Sequence, residues 1–331
     1  MKKKPFIIGI DVSKSKLDIY IYQLEKHFVV SNDPKGYAQM LEIIITECKC
    51  KTKDLFFCFE NTGRYSKPLC ALFSSDGISF LMSPALDIKK SMGMVRGKND
   101  KIDSKRIANY AYEKYDKLKP TTLPNNNILQ IKSLLSLREK LVRQKTACKN
   151  GICDLTDCFK DGENQLIIDI QKRLINNLNI EIEIIEKKIK EIINDNDDLK
   201  KNFNLVKSVD GIGDIIAFYF IAFTNNFISF SNPRAFACYC GIAPFESSSG
   251  TVKGKSHVHN YGNKQLKSLL NLASMSASNR KGELAIYYQN RVSMGKNKMS
   301  TLNIIRNKLL YRVFAVVKRG TPYVDLYKFA S

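Results

Sequence analysis

The chain has 331 residues, with 53 Lys and Arg against 32 Asp and Glu, and its formal charge of +21 calls for a polyanionic partner. A hydrophobic fraction of 44% excludes full disorder and allows two domains with real cores. Nine cysteines without a CxxC pair, only three histidines, no signal-peptide core after Pro5 and no run near the roughly 18 apolar residues of a membrane span argue against zinc, secretion and membrane insertion, and for a reduced cytoplasmic protein.

In chain order, Phe6 to Asp11, Lys16 to Tyr22 and Phe28 to Ser31 read as three successive strands with short polar turns, followed by a helix from about Pro34 to Cys48. Asp54 to Glu60 is a fourth strand, Lys67 to Phe73 a helix, Ile78 to Met82 a fifth strand and Ser104 to Lys117 a helix. Three strands, helix, strand, helix, strand, helix is the order of an α/β ribonuclease H-like domain, placed at residues 1–120.

Thr121 to Asn127 is a polar, proline-containing break, after which the texture is helical. Ile128 to Phe159 is one helix candidate, with a possible interruption at Gly151. Asn164 to Asn194 is another, with Ile168, Ile175, Leu178, Ile182, Ile185, Ile189 and Ile192 stepping by three and four and Gln171 in the remaining slot. That is a coiled-coil seam, about 36 Å long at 1.5 Å per residue. The expectation is a helical coiled-coil spacer over residues 121–200, which either joins two chains, the reading we favour, or folds back on the preceding helix.

Residues 201–331 read as a mainly α, basic domain. SVDGIGDIIAFYFIAF places Gly211 and Gly213 at a turn opening an apolar helix, either as a helix-hairpin-helix-like phosphate contact or as a tight packing turn. After ACYCGIAP, the polar tract ESSSGTVKGKSHVHNYGN breaks every periodicity, and helices follow at Lys264 to Ser278, Glu283 to Ser293 and Lys298 to Val317. Residues 251–320 hold fourteen Lys or Arg and a single acid, Glu283.

Four carboxylates carry the chemistry. Asp11 ends FIIGI, Glu60 ends LFFCF, and Asp100 and Asp103 stand three apart in GKNDKIDSKRIA, the spacing of one helix face. Acids at strand ends plus a helix pair could converge on two Mg2+ ions, which hold and polarise a phosphodiester when about 3.5 to 4 Å apart. Singly, each acid is an ordinary solvated charge. Lys14 and Lys16 near Asp11, and Arg96, Lys98, Lys101, Lys105 and Arg106 around the pair, offer phosphate contacts, whereas Asp18 and Asp87 are weaker candidates. Ser247, Ser248 and Ser249 before Gly250 read by composition as a flexible loop, yet they lie in the most basic stretch, where a hydroxyl could attack phosphorus. Lys253, Lys255, His257 and His259 are close enough in sequence to contact the phosphate.

The set GIDVSK, FE followed by NTGRY, NDKIDSKRIA, GIAPFESSSGT and YGNKQLK resembles, in the same order over nearly the whole chain, the insertion-sequence transposases with an N-terminal RuvC-like DEDD domain. That group includes pilin-inversion relatives and acts as bridge-RNA-guided recombinases. The resemblance implies metal-binding roles for Asp11, Glu60, Asp100 and Asp103, and a nucleophile at Ser249, with Ser248 adjacent. It also implies a 5′-phosphoserine intermediate, donor and target DNA paired to a structured guide RNA, and a tetramer assembled from dimers. The chain departs from the group at Asn99, where Thr is usual, at Ser104, where Ala is usual, and at His259-Asn260, where a basic residue is usual. Two rivals remain: a RuvC-like junction nuclease that uses the acids without Ser249, and a non-catalytic nucleic-acid scaffold.

Overall fold

The computed structural model describes residues 4–91, 99–158, 164–230, 232–245, 248–249, 252–254, 256–258 and 261–324. The chain forms two compact units, Met1–Leu123 and Pro124–Ser331.

The first unit runs β1 (Phe6–Val12), β2 (Lys16–Ile21), β3 (Lys26–Ser31), α1 (Pro34–Cys48), β4 (Leu55–Glu60), α2 (Lys67–Ser75), β5 (Phe80–Ser83), α3 (Ala85–Ser91) and α4 (Asp100–Lys114). The sheet order is β3-β2-β1-β4-β5, antiparallel from β3 to β1 and parallel from β1 to β5. β1 and β4 are interior strands covered on both faces, which is why they read as continuous apolar runs. Their side chains alternate between two cores. Ile8, Ile10, Phe57 and Phe59 pack with Met40, Ile44, Leu69 and Phe73 of α1 and α2. Ile7, Phe56 and Cys58 pack on the opposite face with Ile107, Tyr110 and Ala111 of α4. The same parity turns Asp11 and Glu60 toward the α4 face.

Helix α4 begins at Asp100, four residues before the sequence-based start, because the side chain of Asn99 accepts a hydrogen bond from the Lys101 N–H and caps it. The helix lies against β1 at Gly9, where an added Cβ would stand 2.3 Å from the Ser104 carbonyl oxygen and 2.5 Å from the Ala108 nitrogen. Both are backbone atoms and cannot swing aside. Gly9→Ala is therefore expected to push α4 off the sheet and destabilise the unit by about 3 kcal/mol, read as a lower urea midpoint; an unchanged midpoint would contradict this packing.

The second unit opens with α5 (Asn126–Cys158) and α6 (Gln165–Asn194). Arg138 pairs with Glu186 at 2.7 Å, and Gly151 lies against Gln171, so the helices run antiparallel as one hairpin. α5 is continuous through Gly151, where the sequence left an interruption open: glycine there admits the Gln171 side chain, whose Oε1 would stand 2.9 Å from an added Cβ. Ile182, Ile185, Ile189 and Ile192 of the heptad seam are buried, and Ile185, Ile189 and Ile192 share a core with Ile128, Ile131 and Leu135 of α5. Over Ile185–Ile192 the seam is thus closed within the chain.

The remaining elements are α7 (Asp197–Lys207), α8 (Asp214–Phe223), α9 (Pro233–Tyr239), β6 (Pro244–Phe245), β7 (Ser248–Ser249), β8 (Val252–Lys253), β9 (His257–Val258), α10 (Lys264–Asn279), α11 (Glu283–Ser293) and α12 (Lys298–Arg319). Residues of α5 to α12 contribute to the same core. The eight described cysteines are thiols, and burial pushes those of Cys58 and Cys240 up to about 12. Among the described residues no helix is long and apolar enough to cross a membrane.

Candidate active site

Asp11, Glu60 and Asp103, from β1, β4 and the first turn of α4, line one cleft of about 340 Å³ together with Ala85, Ile88, Lys89, Arg106 and Ile107. Asp103 is held by Arg106 at 2.7 Å. Asp100, one turn earlier, meets Lys16 instead: the ammonium lies 2.8 Å from Asp100 and 3.1 Å from Asp18. Lys16, expected as a phosphate contact, is thus engaged by carboxylates, which raise its pKa above the usual lysine value. Asp18, read from sequence as a weaker candidate, is buried at 4% exposure directly opposite Asp11 in the β1–β2 ladder, and its other oxygen meets His27 Nε2 at 3.1 Å.

Crowding of negative charge defines this cleft electrostatically. Desolvation, then the charges of Asp100, Asp103, Asp18 and Glu60, push the Asp11 carboxyl up to about 6. A cluster of oxygen donors with excess negative charge and room between them fits a hard divalent cation. Among the described residues no three acid, histidine or cysteine side chains form a ready-made metal-holding group, and Asp11, Glu60 and Asp103 are the acids that line the cleft.

The raised pKa has a sign. Ionised Asp11 is disfavoured by folding, so its contribution to metal-free stability is full below about pH 4 and is lost as pH rises through about 6. Asp11→Asn in the presence of chelator should melt on the order of a few degrees above the unsubstituted protein at pH 8, with no difference at pH 4. Differential scanning fluorimetry across pH checks this, and a difference that does not vary with pH would contradict it.

Of the expected nucleic-acid contacts, Lys101 is exposed and the Lys105 ammonium lies 5.6 Å from the Tyr20 ring centroid. Arg96, Lys98, Lys255 and His259 lie outside the described residues. In the second unit Gly211 adopts φ +89°, and an added Cβ would come within 2.9 Å of Ala277 Cβ, so its packing against α10 requires glycine. Gly213 precedes α8, whose first residue, Asp214, is paired with Lys190 at 3.2 Å and with Lys207. The serine tract contains two short antiparallel ladders. Pro244 and Phe245 pair with Val258 and His257, while Ser248 and Ser249 pair with Lys253 and Val252. Sequence composition gave no signal for these strands, nor for the His27–Asp18–Lys16 chain of contacts.

A ribonuclease H-like sheet with acids at the ends of β1 and β4 and on α4 defines a domain of the DEDD type, a class that acts on phosphodiesters with divalent metal. Comparison with known proteins agrees. Residues 8–158 match the DEDD transposase family, and residues 203–289 match the transposase family IS116/IS110/IS902. The chain is 24% identical over 329 residues to the pilin gene-inverting proteins of Moraxella lacunata and Moraxella bovis, covering 96% of this chain and 97% of each relative. It is also 28% identical over 119 residues to the insertion element IS110 uncharacterized 43.6 kDa protein of Streptomyces coelicolor, covering 36% of this chain and 29% of that one. The chain belongs to the IS110 family of transposases, and is a DNA transposase/recombinase.

Proposed function

We propose that this chain cuts and exchanges DNA strands with two Mg2+ ions held by Asp11, Glu60, Asp100 and Asp103 and with Ser249 as nucleophile, under the direction of a structured bridge RNA. The observation that carries this reading is the convergence of Asp11, Glu60 and Asp103, distant in sequence, on one cleft. When bound, the metal supplies charge that polarises a phosphodiester and stabilises the pentacovalent state. The acids hold it; Lys101, Lys105 and Arg106 on α4 and Lys253 and His257 in the serine tract contact phosphates; Gly211 and Gly213 shape a second backbone approach. Lys98 and Lys255 belong to the same set by sequence.

In the serine step the Ser249 Oγ–phosphorus bond forms and the bond from phosphorus to the 3′ oxygen breaks. The serine proton passes to solvent and the leaving oxygen takes one up, giving a 5′-phosphoserine and a 3′-OH for strand exchange. Full-length similarity to proteins that invert a pilin gene supports recombination between two DNA sites. Leu166, Ile170, Leu174 and Ile180 are exposed on α6, an apolar surface that supports assembly into dimers and tetramers.

The test combines purified protein, DNA carrying the element ends and insertion site, and RNA transcribed from the stretch flanking the gene. Recombinant junctions that require both RNA and Mg2+ are expected. Cutting of four-way junctions without protein-DNA adduct would favour the junction nuclease, and binding without cutting would favour the scaffold.

A further inference from the structure

The contacts of Lys16 go beyond the four acids. Its ammonium bridges Asp100 at 2.8 Å and Asp18 at 3.1 Å, and Asp18 is fixed on its other oxygen by His27 at 3.1 Å. Asp18 is buried in the sheet opposite Asp11, where one more negative charge beside the cluster is unfavourable on its own. Its two partners give it a purpose. It anchors one end of a cation whose other end rests on an acid of the metal set. The Asp18 end is fixed, with its side chain 6% exposed, whereas the Asp100 end is open, with its side chain 52% exposed.

We propose that Lys16 is a positioning residue that acts as a tethered internal counter-ion: it neutralises Asp100 in the metal-free chain and is displaced from it when a divalent cation enters. This rests on the reading of the acid cleft as a metal site. An ammonium so close to the entering ion opposes it, so Lys16 sets the metal concentration at which the site loads. Asp18 and His27 keep the displaced ammonium beside the loaded site instead of releasing it to solvent.

Calorimetric titration of the full chain with Mn2+ tests the proposal, using the unsubstituted protein, Lys16→Met, Lys16→Arg and Asp11→Asn. Lys16→Met should bind Mn2+ roughly tenfold more tightly, because a unit charge next to the ion is gone. Its metal-free melting temperature should fall while its Mn2+-saturated one does not. Lys16→Arg, which keeps the charge, should restore the unsubstituted affinity to within about twofold. Equal or weaker Mn2+ affinity in Lys16→Met, with saturable binding in the unsubstituted protein that Asp11→Asn abolishes, would overturn the role of Lys16 alone. No saturable binding in the unsubstituted protein would overturn the metal site and this role together. Should Lys16→Met fail to fold, Lys16→Gln carries the same comparison.

Discussion

Asp11→Asn is expected to abolish strand cleavage, with a loss on the order of a thousandfold or more in single-turnover rate, while DNA binding is retained. Asp11 is the acid on which the site centres. It shares the cleft with Glu60 and Asp103, lies opposite Asp18 in the sheet, and carries a pKa raised first by burial and then by the charges of Asp100, Asp103, Asp18 and Glu60. The amide keeps the shape of the side chain and removes the charge that a metal requires. Binding should survive because the basic excess lies elsewhere, with fourteen Lys or Arg in residues 251–320. Gel-shift titration at fixed salt alongside the cleavage assay separates the two effects; equal loss of binding and cleavage would assign Asp11 a role in folding or affinity.

Ser249→Ala carries the second large effect: complete loss of the covalent protein-DNA adduct and a fall in recombination on the order of a thousandfold or more. Ser248→Ala should retain the adduct. The two serines occupy successive positions of β7, opposite Lys253 and Val252, and the resemblance to the transposase group puts the nucleophile at the one directly before Gly250. The measurement is the amount of denaturant-resistant complex formed with 3′-labelled DNA. An adduct that survives Ser249→Ala and disappears in Ser248→Ala would move the nucleophile by one residue, and no adduct in the unsubstituted protein would favour the junction nuclease.

Much of the first unit is legible in its sequence because interior strands covered on both faces leave continuous apolar runs, and FIIGI and LFFCF are of this kind. The period of two then aligns Ile7, Gly9 and Asp11 on one face and Phe56, Cys58 and Glu60 on the same side of the neighbouring strand. What the pattern hides is cross-strand. The pairing of Asp11 with Asp18 depends on the turn between β1 and β2, and the engagement of Asp100 by Lys16 depends on α4 starting at its Asn99 cap. The heptad seam of α6 would look the same whether its partner were a second chain or α5, and α5 covers it over the buried stretch Ile185–Ile192. In the serine tract, Ser and Gly composition reads as loop although two residues on each strand are enough for a ladder.

Central to the account is a divalent cation gathered by acids that are far apart in the chain. Anomalous diffraction from crystals of the full chain equilibrated with Mn2+ measures this directly. A manganese peak is expected in the cleft, bound by Asp11 and within reach of Glu60 and Asp103, and lost in Asp11→Asn. Manganese bound only elsewhere, under conditions that support cleavage, would contradict it.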